Sequence, residues 1–104
     1  MNTNPTDARN ARVELERLME GLGYKKFVVP GEQISGDVRF KREIKLGLEI
    51  RHWIQGPPTE RGYYVVSVTE PWTIPHQDYV MLSGLEQYIK MFETNAQEAN
   101  TRQP

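Results

Sequence analysis

Between Asp37 and Gln55 the chain alternates. The even positions Val38, Phe40, Arg42, Ile44, Leu46, Leu48, Ile50, His52 and Ile54 are large and apolar in seven cases of nine, whereas the odd positions are so only at Trp53. Successive side chains of a strand point to opposite faces, so this period of two predicts a sheet with one buried face and one wet face. The even face is the expected core, and the odd face is where work on other molecules is expected.

A straight strand from residue 38 to 54 would run roughly 55 Å at about 3.3 Å per residue, too long for a domain whose radius of gyration is about 13 Å. The ribbon must therefore turn or bend. Two solutions keep the apolar side chains together. One is a three-residue loop at Lys41-Arg42-Glu43, and the other is a long strand bent at Gly47, where a missing side chain permits a bulge.

Around this ribbon the pattern predicts two helices and further strands. Asn4 before Pro5, with Asp7 following, has the form of an N-cap, a proline at the first helical position and an acid near the positive end of the helix. Ala8, Ala11, Leu15, Leu18, Met19 and Leu22 then recur at three and four, and Gly21 or Gly23 ends the helix. Tyr24 to Val29 is a first strand, stopped by Pro30-Gly31, and the loop PGEQISG leads into the ribbon. GPPTERG after Gln55 predicts an exposed loop. Tyr63 to Thr69 resumes extended structure.

If residue numbers across the last two strands sum to 118, Tyr64, Val66 and Val68 join the even face, and Trp53 stands opposite Val65 with Tyr63 diagonal to it. Glu70 to Gln77, with two prolines around Trp72, predicts an irregular crossover, and Asp78 to Leu82 a short strand. Ser83 and Glu86 match a capping box, after which Leu85, Tyr88, Ile89, Phe92, Ala96 and Ala99 form a helical apolar stripe. The expected fold is α+β: a helix, an antiparallel sheet of about four strands and a final helix, with both helices on one face of the sheet. Residues 1–104 fit a single domain with frayed ends at 1–4 and 100–104.

Composition narrows the chemistry. With no cysteine, disulfides, thiolate metal sites and a cysteine nucleophile are excluded. No apolar run has the length of a membrane span and the N-terminus lacks a signal-like core, so a cytoplasmic protein without a membrane partner is expected. The net charge of -1 conceals a basic middle and an acidic end: residues 24–55 hold seven Lys or Arg against four acids, and residues 56–104 three against six. That is weaker than the basic stripe of a dedicated nucleic-acid binder.

The sharpest candidate site is the odd face. Trp53, Tyr63 and Val65 form an expected apolar patch beside Arg51, with Arg39, Lys45 and Glu49 at its rim, a composition typical of protein interfaces. The competing expectation is that Trp72 folds over the patch. The same aromatics and cations would alternatively stack and neutralise a nucleotide or single strand of nucleic acid. His52 and His76 stand 24 residues apart without metal-ligand spacing, so a third reading, an enzyme on His52, His76, Asp78 and Glu70, rests only on their residue types. Ser67 and Ser83 belong to no nucleophile motif. No cofactor is expected. The favoured expectation is a non-enzymatic binding module that takes another protein, or a second copy of itself, on the odd face.

Overall fold

The computed structural model describes residues 5–28, 37–70 and 75–102. Two helices flank five strands in the order α1 (Pro5–Gly21), β1 (Lys25–Phe27), β2 (Val38–Lys45), β3 (Leu48–Thr59), β4 (Gly62–Glu70), β5 (His76–Val80) and α2 (Leu82–Arg102). The strands pair with their sequence neighbours, all antiparallel, in spatial order β1-β2-β3-β4-β5. This is one strand more than the alternation suggested, because the ribbon folds into a hairpin.

Neither predicted solution for the ribbon is the one adopted. The turn is the two residues Leu46-Gly47, with Gly47 at φ +83, a left-handed conformation that glycine enters without a Cβ penalty. So tight a turn pairs Lys45 with Leu48, odd with even, which would throw the two apolar rows out of phase. A register shift between Glu43 and Lys45 absorbs one residue and restores Val38↔Ile54, Phe40↔His52 and Arg42↔Ile50. Ile44 takes up the irregularity and is half-buried, while Leu46, expected in the core, stands at the tip 94% exposed.

A second correction concerns β3 and β4. Their numbers sum to 119 rather than 118, giving Ile50↔Thr69, His52↔Ser67, Trp53↔Val66 and Ile54↔Val65. The odd residues Tyr63, Val65, Ser67 and Thr69 are thus the buried ones, and Tyr64, Val66 and Val68 lie on the other face. The segment YYVVSVT is apolar at both parities near its start, so its pattern alone does not choose the face. The connection does. GPPTERG is not a loop: β3 continues to Thr59, its register slips between Gln55 and Thr59 across Pro57-Pro58, which have no N–H to donate, and only Glu60-Arg61 turn. Gly62, at φ +99, lies so close to the Val80 carbonyl that a Cβ there would collide with it.

α1 ends as the glycines suggested. Gly23, at φ +93, donates to Glu20 O at 3.0 Å and Tyr24 N–H to Met19 O at 2.9 Å, the paired bonds of a Schellman cap. That cap turns Tyr24 into the interior instead of starting β1 with it, and Val28 is already exposed. α2 begins at Leu82, one residue before the expected cap, and Glu86 turns to Lys90 Nζ (3.2 Å) one helical turn on, so the Ser83 capping box is not formed. Its backbone remains helical to Arg102. Glu70 completes β4 and His76 and Gln77 open β5, which shortens the predicted crossover at both ends. Asn4, residues 29–36, Trp72 and the last two residues lie outside the described part, and with them the N-cap, the PGEQISG loop and the proposed cover over Trp53.

The core is one cluster. Leu15 and Met19 of α1, Leu85 and Ile89 of α2, and Tyr24 meet Val38, Phe40, Ile50, Ile54, Tyr63, Val65 and Val80 of the sheet. Phe40, Ile50, Ile54, Val65, Leu85 and Ile89 are completely buried, and each such side chain contributes roughly 1.5–3 kcal/mol through the area it removes from water. Among the described residues no helix is long and apolar enough to cross a membrane.

Candidate functional site

The register places two rungs back to back. On the face away from the core cluster, one line crosses all five strands: Phe27, Arg39, Trp53, Val66 and Gln77. The next outward-facing line is Lys25, Lys41, Arg51 and Val68, and beyond it comes Glu43, Glu49 and Glu70. On the other side of Trp53 the line is Gln55, Tyr64 and Tyr79.

Phe27, Arg39, Arg51, Trp53, Val66 and Val68 enclose a shallow cleft of about 190 Å³. Its aromatic walls are held by charge. The Arg39 guanidinium lies 4.4 Å from the centre of the Trp53 ring, and Lys41 Nζ and the Arg51 guanidinium lie 5.3 and 5.6 Å from that of Phe27. Such cation–π contacts are each worth about 0.5–1 kcal/mol at exposed sites. Trp53 Nε1–H donates to Asp37 Oδ2 at 3.2 Å, which fixes the indole edge and leaves the ring half-buried. Arg51 Nε donates to Glu49 Oε2 at 2.7 Å, and its Nη1 is 4.0 Å from Glu70 Oε1, so the acidic line steadies the basic one.

A second groove of about 340 Å³ continues the face past Gln55, Tyr64 and Tyr79 toward Thr59 and Gly62. Tyr64 and Tyr79 rings are 5.1 Å apart, Tyr64 OH donates to Gln77 Oε1, and the Arg61 guanidinium lies 5.5 Å from the Tyr79 ring centre.

Of the residues singled out by sequence, Trp53, Arg51, Arg39 and Glu49 are brought together here. Lys45 is exposed at the hairpin end, past the Glu43–Glu49 line and, after the register shift, opposite the buried Leu48. Tyr63 and Val65 are not on this face at all: they are 3% and 0% exposed and belong to the core, because β4 is shifted by one residue from the expected register. Burial raises the Tyr63 phenol above its ordinary pKa. In their place the face gains Val66, Val68, Tyr64 and Tyr79, together with Phe27 from β1. The signal that would have found them was the His52–Ser67 pair, since matching the one core-face imidazole of β3 to a hydroxyl fixes the sum at 119.

One residue away on the same strands runs the inward line Lys26, Phe40, His52, Ser67 and His76. His52 is 1% exposed and satisfied on both nitrogens, with Nδ1 2.7 Å from Ser67 Oγ and Nε2 3.2 Å from Tyr24 OH. Ser67 Oγ is also 3.0 Å from Tyr88 OH on α2, and Tyr24 OH donates to Glu93 Oε2 at 2.7 Å, where Arg42 Nη1 also donates at 3.0 Å. Burial lowers the His52 pKa to about 3, and burial raises the phenols of Tyr24 and Tyr88. Glu93 adds to the rise at Tyr24 by accepting its proton in a hydrogen bond.

The residues of the enzyme reading divide between the faces. The rings of His52 and His76 both approach Tyr88, at 6.5 and 5.9 Å, so they share a side, and Asp78 lies on the line next to His76. Glu70 lies on the opposite face beside Arg51. Among the described residues no three His, Cys, Asp or Glu are grouped to hold a metal ion. The chain matches no protein-family model, no curated protein and no solved structure.

Proposed function

We propose that this chain is a small cytosolic, non-enzymatic protein-binding module whose α1 and α2 both cover the Phe40–Ile50 face of the sheet, leaving the Trp53 face for a partner. The observation behind this reading is the line Phe27–Arg39–Trp53–Val66. It sets two aromatic rings, with Arg39 between them, and a valine on one line of the face away from the core cluster, with a guanidinium over each ring. An apolar cleft within a charged rim is the anatomy of an interface hot spot, in which Trp, Tyr and Arg dominate the energy. Trp53 and Phe27 are the anchors, Val66 and Val68 the floor, Arg39 and Arg51 the polar contacts, and Lys41, Lys45 and Glu49 steer the approach.

The test is to isolate the chain with whatever protein co-purifies and measure their association by sedimentation. Trp53→Ala should weaken it at least thirtyfold with an unchanged far-ultraviolet circular dichroism spectrum, the behaviour of a hot spot truncated outside the core. Association untouched by Trp53→Ala and by Phe27→Ala would overturn the reading.

Lys25, Lys41 and Arg51 standing side by side across three strands support a second reading, binding of a nucleotide or single-stranded nucleic acid with the rings as stacking platforms. Against it, Arg39 already occupies a face of Trp53, and Glu49 and Glu70 attend Arg51. Salt separates the two: a dT oligonucleotide bound through these phosphate contacts would lose affinity steeply between 50 and about 200 mM salt, whereas the apolar protein contact would change little.

A further inference from the structure

The hydrogen bonds around His52 have only one consistent direction. A carboxylate has no proton to give, so Tyr24 O–H must donate to Glu93, and the Tyr24 oxygen is left to accept from His52 Nε2–H. A neutral imidazole with its proton on Nε2 accepts at Nδ1, so Ser67 O–H donates there, and Ser67 Oγ in turn accepts from Tyr88 O–H. The protons therefore all point one way, from Tyr88 through Ser67, His52 and Tyr24 to Glu93, where Arg42 closes the chain.

This chain joins parts that sequence separates widely. Tyr88 and Glu93 belong to α2, Tyr24 to the cap of α1, and Ser67, His52 and Arg42 to three adjacent strands. Phe92 of α2 also lies edge-on to the imidazole at 5.5 Å. A second proton on the ring would turn Nδ1 into a donor facing a hydroxyl that is itself donating, so Ser67 would have to turn its proton away from the ring, and its oxygen would then accept from both Nδ1–H and Tyr88 O–H. The charge would also sit on a ring only 1% exposed, whose two hydrogen-bond partners among the described residues are hydroxyls.

We infer that the chain Tyr88–Ser67–His52–Tyr24–Glu93 is an acid-opened latch that holds α2 on the sheet while His52 is neutral and releases it when His52 gains a proton. The lowered basicity of the buried ring is what such a latch requires, since the open form must bind the proton more readily than the closed one. The titratable and charged groups facing His52 are Tyr24 from the α1 cap, Tyr88 and Glu93 from α2 and Arg42 from β2. His76 and Asp78 of β5 stand beside Tyr88. The latch line is also one residue from the Trp53–Val66 line on the same two strands, so its opening removes the backing of the cleft. This inference stands independently of what the cleft binds.

The test uses the intact chain. Nitrogen NMR of His52 at pH 7 should show a protonated Nε2 and a bare Nδ1, and a proton on Nδ1 would overturn the chain as assigned. Amide exchange, corrected for its intrinsic pH dependence, should show α2 opening more often than the β2–β3 core, with its open fraction rising about fifteenfold between pH 6.5 and 5. The Trp53 indole N–H resonance should move in the same range. His52→Gln should abolish both responses, and Tyr88→Phe should raise α2 opening at pH 7, while His76→Gln leaves the responses in place. If α2 amides exchange only with the core in the wild-type protein, or if the response survives in His52→Gln, there is no latch.

Discussion

His52 and Trp53 are neighbours on β3 and live in different worlds. The imidazole is sealed in, bonded at both nitrogens and held neutral, while the indole lies half-open on the other face under a guanidinium. Across the next strand the contrast repeats between Ser67 and Val66, the hydroxyl inside and the aliphatic side chain outside. In most sheets the assignment is the reverse, with polar groups in water and apolar ones in the core. Two such inversions on facing residues mark a place where ordinary burial energetics is subordinate to something else: a hydrogen-bond chain on one side and an apolar cleft on the other.

The contrast can be broken most forcefully in the core beneath both lines. Phe40→Ala removes a fully buried ring next to His52 and should cost about 3–5 kcal/mol in denaturant unfolding, whereas Trp53→Ala, on the outer face, should cost no more than about 1–2 kcal/mol while reducing association. Equal losses from the two substitutions would show that both rings are core.

Acid sharpens it further. His52 has a pKa of about 3 when folded against 6.5 for the free side chain, so below pH 6.5 the unfolded chain takes up a proton that the folded chain refuses. The stability this gives is fully present well above pH 6.5 and is lost as pH falls toward 3, by up to about 1.4 kcal/mol per pH unit, or about 1.6 kcal/mol between pH 6.5 and 5. Urea midpoints across that range should fall with this slope in the wild type, and His52→Gln should remove this component of it.

Much of this organisation is legible in the chain itself. The alternation at 38–54 specifies the two faces, the spacing of Leu15, Leu18, Met19 and Leu22 gives α1, and Leu85, Tyr88, Ile89 and Phe92 give α2. What is not legible is phase. A hairpin turn of even length is compatible with the pattern only because a bulge at Ile44 corrects it, and a bulge of β-branched residue type leaves no signature. The prolines at 57 and 58 suggest a loop, yet they lie within β3, where a register slip frees them from donating. For β4, apolar side chains of both parities leave the face undetermined until Ser67 finds His52. Hence Arg39, Arg51 and Trp53, on the strongly patterned ribbon, belong to the candidate site, whereas Tyr63 and Val65, on the weakly patterned strand, do not.

The smallest expected effect is at the hairpin tip. Leu46→Ser, at a residue 94% exposed, should change stability by no more than about 0.5 kcal/mol in the same urea titration. A loss of 2 kcal/mol or more would mean that the ribbon turns elsewhere and that Leu46 is inside.

The phase of β4 against β3 can be read directly, because the chain has no cysteine of its own. Residues directly opposite in an antiparallel pair stand about 4.5–5.5 Å apart at Cα, within the span a disulfide bridges. Arg51→Cys with Val68→Cys should therefore oxidise to an intramolecular disulfide, detected as a loss of two mass units and of free thiol, whereas Arg51→Cys with Ser67→Cys should stay reduced under the same conditions. The opposite outcome would return Tyr63 and Val65 to the Trp53 face and contradict both the cleft and the latch.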